Sequence, residues 1–557
     1  MKMKTKYAIM LIAASMLTLS SCSDFLDTCY DTNNTSETLA SNRSSIWAFA
    51  NAFYSPMSYG YTAIDNNIFA SASDEAQQTA AASNVIYFNK GIINANVNPL
   101  SGRYNNCYEG IRAANYFLDY VADGKGQALI ELNRNLITDA NNYKRDLQSL
   151  DWYIAEAHIA KAYYYAELIK MYGGVPIIEA TMQQNGGKKV ARSSYDECVD
   201  YIVSEIDTWK DKLAKNWKEY TDREGRFTLG AALAIKSRVL LYAASPLHNP
   251  GNDVNKWIRA AQAANEFLTC TEISYSLHPD YAAYFTGATS LSSSETIILV
   301  RRDVSNTMEQ QNYPIATAGG KSGVCPTQNL VDAYEYIGEK NANDPYANRD
   351  PRFAASIVYN GSTWNGRTIA EAAGESDDMA TTNASRTGYY LKKFLTDGLN
   401  LTQGQTARHN WVAFRYAEIL LNYAEAVNEA YGPNALPDGF AMTAKEALQM
   451  VRDRASTSLP AITANNPDSF RDAVKHERQV ELAFEDFRYW DLLRWKDAED
   501  VLNSPVYGVK ITKSGDTYNY TKVEVATRTF NARNYYLPFT RQEVENSDGT
   551  LEQNPNY

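Results

Sequence analysis

HERQVELAFEDFRYWDLLRW, residues 476–495, is the stretch that decides the fold. Read as a helix, it has no clean polar face, and a helix that is apolar nearly all round is buried by several neighbours. It also carries eight charged residues, of which the i,i+3 pairs Arg478–Glu481, Glu485–Arg488 and Asp491–Arg494 can neutralise one another. Buried charges cost several kcal/mol unless they are paired. The stretch therefore predicts an ion-paired central helix. General acid–base catalysis is the alternative, and the arginine within helical reach of each acid favours a structural role.

The composition is that of a large globular protein with an excess of tyrosine. The 557 residues are 45% hydrophobic and include 40 Tyr against 18 Phe. The length allows about two to four domains. A tyrosine side chain combines a flat apolar face with a polar tip, which suits wet, partly exposed contact surfaces.

The first 22 residues resemble a bacterial lipoprotein signal. Lys2, Lys4 and Lys6 precede an apolar run, residues 7–19, that is too short to span a bilayer, which needs ~20 residues. The run leads into Leu19-Ser20-Ser21-Cys22, which is similar to the bacterial lipobox. In that motif a signal peptidase cuts before the cysteine, and the cysteine carries the lipid. We therefore expect residues 1–21 to be a signal peptide and residues 22–36 a lipidated tether. Acyl chains on Cys22 would anchor the protein to a membrane, at about 0.8 kcal/mol per buried CH₂.

Charge and cysteine content exclude several classes of function. Removal of residues 1–21, which hold three lysines and no acids, takes the net charge from −12 to −15. A chain this acidic is a poor binder of nucleic acid, because such binding needs Lys and Arg to neutralise phosphates. Five cysteines remain besides Cys22, widely spaced and without a CxxC pair, so we expect neither a disulfide framework nor a metal site.

Helical periodicity dominates the remainder, residues 37–557. Helices are predicted at 37–54, 104–121, 154–172, 228–244, 254–268 and 413–431, and capping boxes at Ser194–Glu197 and Thr443–Glu446 open two more. Paired helices with small residues at their contacts are typical of tetratricopeptide-like arrays. The fold class expected is mainly α, with stacked helical hairpins over about 37–270 and 407–500.

Two other regions have a different character. Residues 271–406 are rich in Gly, Ser, Asn and Thr, with short strand-like runs such as 296–301, and predict an irregular, loop-rich subdomain. Residues 501–557 read as an extended C-terminal segment. No HExxH, GxSxG or phosphate-binding loop occurs, so the sequence predicts a protein without catalytic residues or cofactors.

Several aromatic residues stand beside amides or cations. Tyr87 lies near Asn89, Tyr104 beside Asn105, Tyr313 after Gln310-Gln311-Asn312, and Trp364 before Asn365 and Arg367. Sugar rings bind to a flat aromatic face flanked by side chains that hydrogen-bond hydroxyls. For any one of these residues, packing beneath a loop is the alternative.

A set of motifs runs from one end of the chain to the other: SCSDFLD at 21–27, AEA at 155–157, YYYAEL at 163–168, YGGVP at 172–176, RDPRF at 349–353, RYAEILL at 415–421, ER at 477–478, RYWDL at 488–492 and QNPNY at 553–557. In this order they resemble the SusD/RagB family of Bacteroidetes outer-membrane lipoproteins. Lys161, Thr540 and Asn556 are minor departures from the family pattern.

The resemblance implies a tetratricopeptide-like fold and display on the outer surface of the outer membrane. It also implies docking on a SusC-like TonB-dependent transporter and a ligand face built by the loop before the second helix and by the irregular subdomain. We therefore expect a glycan-binding lipoprotein that is not an enzyme. The expected ligand residues are Tyr87, Asn89, Tyr104, Asn105, Arg301, Tyr313 and Trp364. Peptide capture for the same kind of transporter is the first alternative, and a glycoside hydrolase the second.

Overall fold

Helices of the first half of the chain pack one on the next. The computed structural model describes residues 43–181, 186, 188–219 and 224–557, so the expected signal peptide, Cys22 and tether lie outside the described residues. The helices are α1 Ser44–Ala52, α2 Ile86–Asn89, α3 Ser101–Val121, α4 Lys125–Glu131, α5 Ala140–Tyr172, α6 Tyr195–Trp209, α7 Leu229–Ala244 and α8 Val254–Thr269. Contacts run from α3 to α5, α5 to α6, α6 to α7 and α7 to α8. This succession of packed neighbours is the mainly helical, tetratricopeptide-like arrangement that the sequence predicts.

Short elements fill the middle of the chain. The helices there are α9 Tyr281–Tyr284, α10 Gly287–Ser292, α11 Thr307–Asn312, α12 Gln328–Ala333 and α13 Pro351–Ser356. The strands up to residue 415 are β1 Ala76–Gln78, β2 Thr296–Arg301, β3 Val324–Pro326, β4 Ile357–Val358, β5 Thr363–Trp364, β6 Arg367–Thr368, β7 Tyr390–Leu391 and β8 Asn410–Arg415. They form the antiparallel pairs β1–β3, β2–β8, β4–β7 and β5–β6.

The helical stack resumes after this insertion. Its later members are α14 Tyr416–Tyr431, α15 Ala444–Arg452, α16 Pro467–Glu481, α17 Arg488–Trp495 and α18 Ala498–Leu502. Helix α8 packs directly against α14, and α14 packs against α15 and α16. The middle region is thus an insertion between two helices that touch. The helix predicted from residue 413 begins at Tyr416, because residues 410–415 are held as strand β8 by pairing with β2.

The last part of the chain closes back on the first. Strands β9 Val506–Ser514 and β10 Thr517–Ala526 form a hairpin, and helix α19 is Arg541–Asn546. Short 3-10 helices lie at Gly60–Thr62, Phe69–Ala72, Lys210–Lys212, Trp217–Glu219, Leu401–Gln403 and Ala532–Tyr535. The buried Arg528 guanidinium donates hydrogen bonds to the carbonyl oxygens of Ser73 and Ala76, and Arg488 pairs with Asp74 at 2.8 Å. The two ends of the described chain therefore share one core.

The single helix expected over 476–495 is wrong. Helix α16 ends at Glu481 and α17 begins at Arg488, and between them Phe484 and Asp486 adopt left-handed backbone angles, with φ of 68° and 66°. Such angles are uncommon for residues other than glycine. The turn brings Arg478 of α16 to Asp491 of α17 at 2.9 Å, while Glu481 and Glu485 pair with arginines from distant segments.

Charge pairing in this stretch is confirmed, with different partners from those expected. The Glu481 carboxylate forms ion pairs with Arg352, Arg415 and Arg454, at nitrogen–oxygen distances of 2.7–2.8 Å. Of the three pairs predicted from the sequence, only Asp491–Arg494 forms. Every member of the Glu481 cluster is at most 3% exposed. The break between α16 and α17 lets these carboxylates face arginines from other elements, which a continuous helix with internal pairs would not do.

Candidate ligand-binding site

The loop before α3 packs against the irregular middle region. Strand β1 pairs with β3, and just beyond this pairing the Thr79 amide donates a hydrogen bond to the Gly323 carbonyl at 2.9 Å. The side-chain amides of Asn67 and Asn312 exchange two hydrogen bonds, at 3.2 and 3.0 Å. The two segments expected to build a ligand face are therefore fixed against each other.

Tyr313 and Trp364 lie together in the interior of the middle region. Their rings meet edge to face with centroids 6.0 Å apart, and the two residues are 0% and 3% exposed. The Tyr313 hydroxyl donates to the Thr396 carbonyl and accepts from the Leu399 amide at 3.3 Å. The exposure expected for these two aromatics is wrong, because the neighbouring loop covers the rings and satisfies the tyrosine hydroxyl.

The remaining predicted residues are dispersed. Tyr87 and Asn89 are half-buried in α2, where the Asn89 carbonyl accepts the Thr529 amide at 2.8 Å. Arg301 is exposed at the end of β2 and pairs with Glu224 at 3.1 Å. Tyr104 and Asn105 lie near the start of α3. Asn105 is exposed, whereas Tyr104 is only 7% exposed, so the exposure expected for Tyr104 is wrong as well. The structure thus brings together Tyr313 with Trp364 and Tyr104 with Asn105, while Arg301 stands apart.

Tyr104 and Asn105 line a cavity of about 350 Å³ between α3, the C-terminal segment around α19 and the residues Pro176, Ile178, Lys189 and Val190. We call it the tyrosine cavity. Tyr104, Tyr108 and Arg112 of α3 follow one another at four-residue intervals, so they lie on one face of the helix and all line the cavity. Glu543 and Asn546 face them from α19.

The two tyrosines are held in place by their surroundings. The Tyr104 ring stands edge-on to Tyr172 and Phe539, at 5.2 and 5.9 Å between centroids, and lies 4.9 Å from the Tyr108 ring. The Tyr108 hydroxyl donates to the Pro176 carbonyl at 2.9 Å. Burial raises the pKa of both phenols, so both remain neutral hydrogen-bonding groups at physiological pH. The result is an aromatic wall with fixed ring orientations.

A second, more polar cavity of about 650 Å³ lies on the other side of α19. Its lining is rich in amides and hydroxyls, among them Asn84, Asn96, Asn98, Ser101, Thr540 and Gln542. Helix α19 therefore separates two concave sites. Tyr108, Arg112 and the residues of α19 are not among the ligand residues predicted from the sequence. The four-residue spacing from Tyr104 was a signal for the first two, whereas nothing local links α19 to α3.

The buried acids Glu481 and Asp491 of the stretch 476–495 are held in ion pairs. Although burial alone would raise it, the pKa of Glu481 is held well below its usual range by Arg454, Arg415 and Arg352. Arg494 and Arg478 likewise lower the pKa of Asp491 against the effect of burial. A general acid needs a raised pKa near the substrate. The carboxylates of this cluster are committed to ion pairs.

Other functional features are few in the described residues. Cys107, Cys198, Cys270 and Cys325 are free thiols, and no group of three or more His, Cys, Asp or Glu there is placed to hold a metal ion. None of the helices that the structure describes has the length and apolar character needed to cross a membrane.

Comparison with known proteins identifies the family. A family model described as the SusD family matches residues 297–557, and a second, described as "Starch-binding associating with outer membrane", matches residues 24–241. SusD-like protein P2 of Formosa agariphila is 22% identical over 443 residues, which cover 77% of this chain and 79% of that protein.

Solved structures of similar proteins share the fold. A SusD-like protein from Bacteroides fragilis superimposes with a TM-score of 0.75 and 25% identity, covering 94% of this chain and 98% of that one. A SusD-like carbohydrate-binding protein from the same species gives a TM-score of 0.74 at 22% identity, over 92% of this chain and all of that one. Surface glycan-binding protein A from Bacteroides uniformis gives 0.65 at 20% identity, over 91% and 98%. The two family models, the relatives and the shared fold together establish that this chain belongs to the SusD-like family, whose members associate with the outer membrane.

Proposed function

We propose that this protein captures glycans at the cell surface and delivers them to a SusC-like TonB-dependent transporter in the outer membrane. The description of one family model names starch binding. Two of the similar structures are described as a carbohydrate-binding protein and as a surface glycan-binding protein. The observation in this chain that carries the proposal is the tyrosine cavity. It combines fixed aromatic rings with the amides of Asn105 and Asn546.

The chemistry of the cavity suits a sugar. A pyranose ring offers apolar C–H groups that pack on the half-buried Tyr108, since Tyr104 is only 7% exposed, and hydroxyls that exchange hydrogen bonds with Asn105 and Asn546. The volume of about 350 Å³ lies at the lower end of the range of small-molecule pockets, ~300–1,000 Å³. The cavity therefore accommodates a short stretch of a glycan whose remainder extends outside it.

The proposed role is non-enzymatic and depends on tethering. The lipobox-like segment ending at Cys22 supports a lipid anchor, which would hold the protein beside the transporter with its ligand face outward. Glu543 is the one carboxylate among the described residues that line the tyrosine cavity. Glycoside hydrolysis by the usual mechanism needs two carboxyl groups flanking the bond. Capture and transfer thus fit the cavity better than hydrolysis.

Asn105 and its neighbour Asn106 provide a matched test. Both are exposed residues of α3, and only Asn105 lines the cavity. In a calorimetric screen of the soluble chain from Ser23 onward against plant, microbial and mucin-type glycans, we expect binding to one glycan class. Asn105→Ala should weaken that binding about fivefold, because one hydrogen bond is worth roughly 1 kcal/mol. Asn106→Ala should leave it unchanged, and neither variant should alter the Tm.

Other outcomes separate the alternatives. Release of new reducing ends during the screen would contradict the non-enzymatic role. Binding of peptides in place of glycans would move peptide capture to first place. Equal effects of the two asparagine variants would place the glycan elsewhere on the surface.

A further inference from the structure

The charges at the tyrosine cavity differ in sign from those of the molecule as a whole. The complete chain carries a net charge of −12. The cavity, in contrast, is lined by two cations, Arg112 and Lys189, and by one carboxylate, Glu543. Among the residues that the structure describes, neither cation has an ion-pair partner, and both side chains are exposed to solvent. Two cations without an ion-pair partner in the described part of the chain therefore line an aromatic cavity in an acidic protein.

A third cation lies behind the cavity wall. The Arg192 guanidinium donates to the carbonyl oxygens of Gly174, Tyr172 and Glu552 and to the side-chain oxygen of Asn554, all of them neutral acceptors. Its positive charge acts on the Tyr104 phenol, as does the opposing negative charge of Glu543. Of these two charges, Glu543 has the larger effect on the Tyr104 phenol, and the Glu552 carboxylate acts in turn on Arg192. Among the lining residues alone, two cations stand against one carboxylate.

The geometry of α3 relates the cations to the aromatic wall. Tyr108 and Arg112 are one helical turn apart, so their Cβ atoms are separated by ~5–6 Å. A pyranose ring packed on Tyr108 would place a carboxylate borne on its C5 carbon within reach of the Arg112 guanidinium. Arginine offers a planar pair of N–H donors that matches a carboxylate, and such charge-assisted bonds are among the strongest hydrogen bonds in proteins.

We propose that the tyrosine cavity binds an acidic sugar, a uronic acid residue within a glycan, with Tyr108 against the ring and Arg112 and Lys189 on the carboxylate. This inference rests on the proposed function, glycan capture, and adds the class of glycan. Glu543 contributes selectivity, because its carboxylate repels ligands that present a second negative charge at the opposite wall. The acidic surface outside the cavity has the same effect on densely charged polyanions.

The test compares a galactose trimer in which one residue is galacturonic acid, and which therefore carries a single carboxylate, with the neutral trimer of galactose by calorimetry, on the soluble chain from Ser23 onward. We expect the acidic trimer to bind at least tenfold more tightly than the neutral one. Arg112→Gln and Lys189→Gln should each weaken binding of the acidic trimer about tenfold and leave binding of the neutral trimer within twofold. Raising the salt concentration from 0.05 to 0.5 M should weaken only the acidic trimer.

Controls distinguish the possible failures. Arg145→Gln removes a cation whose side chain is 70% exposed and which does not line the cavity, so it should match the wild type. Equal binding of both trimers without an effect of Arg112→Gln would overturn the acidic subsite while leaving glycan capture intact. Absence of binding to any glycan would overturn glycan capture itself and this inference with it. Preferential binding of acidic peptides would also overturn the uronate assignment.

Discussion

Glu75 shows how a single buried carboxyl couples the stability of this protein to pH. It is 2% exposed, and its carboxylate accepts the Phe484 amide at 3.0 Å, at the turn between α16 and α17. Burial raises the pKa of Glu75 to about 8. Between pH ~4.5 and 8 the folded protein therefore retains a proton that the unfolded chain releases, and the free energy of unfolding falls as pH rises through this window.

Glu75→Gln should remove this dependence. Glutamine keeps an oxygen that can accept the Phe484 amide, and it cannot ionise. We expect the Tm of the variant relative to that of the wild type to rise steadily from pH 5 to pH 8 and then level off. The corresponding difference in the free energy of unfolding between the variant and the wild type grows by up to ~1.4 kcal/mol per pH unit between pH ~4.5 and 8. Thermal melts across this range check it, and a Tm difference that does not vary with pH would show that Glu75 is charged in the folded state.

At the same scale, the sequence could not assign exposure to single aromatic residues. Tyr313 looked like a surface residue because amides precede it, yet its hydroxyl meets the backbone of Thr396 and Leu399, more than 80 positions away. No local pattern encodes such a partner. Tyr104 and Asn105 do line a cavity, and their contact with a ligand stays a prediction.

Elements specified by local signals were predictable. The capping boxes at Ser194–Glu197 and Thr443–Glu446 form as expected, because each needs only residues three positions apart. The break between α16 and α17 was not predictable, since residues 482–487 contain neither glycine nor proline. Glu485 is held there by Lys393 and Arg415 at 2.7 Å, and these tertiary contacts outweigh the helix propensity of the stretch.

Two glycines of α3 allow the packing of that helix to be tested. A Cβ on Gly110 would lie 2.1 Å from the Tyr164 ring of α5, whereas a Cβ on Gly102 would meet nothing within 4 Å. Replacing glycine by alanine favours a helix by up to ~1 kcal/mol. We expect Gly102→Ala to be neutral or stabilising, and Gly110→Ala to destabilise by roughly 1–3 kcal/mol through overpacking. Urea denaturation of both variants measures this, and similar stabilities would mean that α3 and α5 can separate at no cost.

For the whole molecule, the Glu481 cluster joins segments that are distant in the sequence. Arg352 comes from α13, Arg415 from β8, and Arg454 from the turn after α15. The spacing of charges in the sequence predicts that these acids are paired, but with partners on the same helix, because spacing reports only on local neighbours. The long-range partners become evident only once the insertion is folded against the helical stack.

Glu481→Gln should therefore weaken the entire fold. The change leaves three buried guanidinium groups short of one negative charge, and loss of one partner from a buried ion pair costs about 3–5 kcal/mol. We expect a lower urea midpoint in a single cooperative transition followed by both circular dichroism and tryptophan fluorescence. Glu524→Gln, an exposed change on β10, should stay within ~0.5 kcal/mol of the wild type. A wild-type midpoint for Glu481→Gln would show that the cluster tolerates an unbalanced charge.

The hydrogen bonds from Arg528 to the carbonyls of Ser73 and Ala76 also set the order in which the protein folds. They close a loop of more than 450 residues. Closing such a loop costs conformational entropy, and this cost opposes the stabilisation that the contact provides. Contacts between residues this far apart in the sequence slow folding, because the loop must close before they form. A growing chain on the ribosome therefore cannot make this contact between its early and late segments until residue 528 has been made.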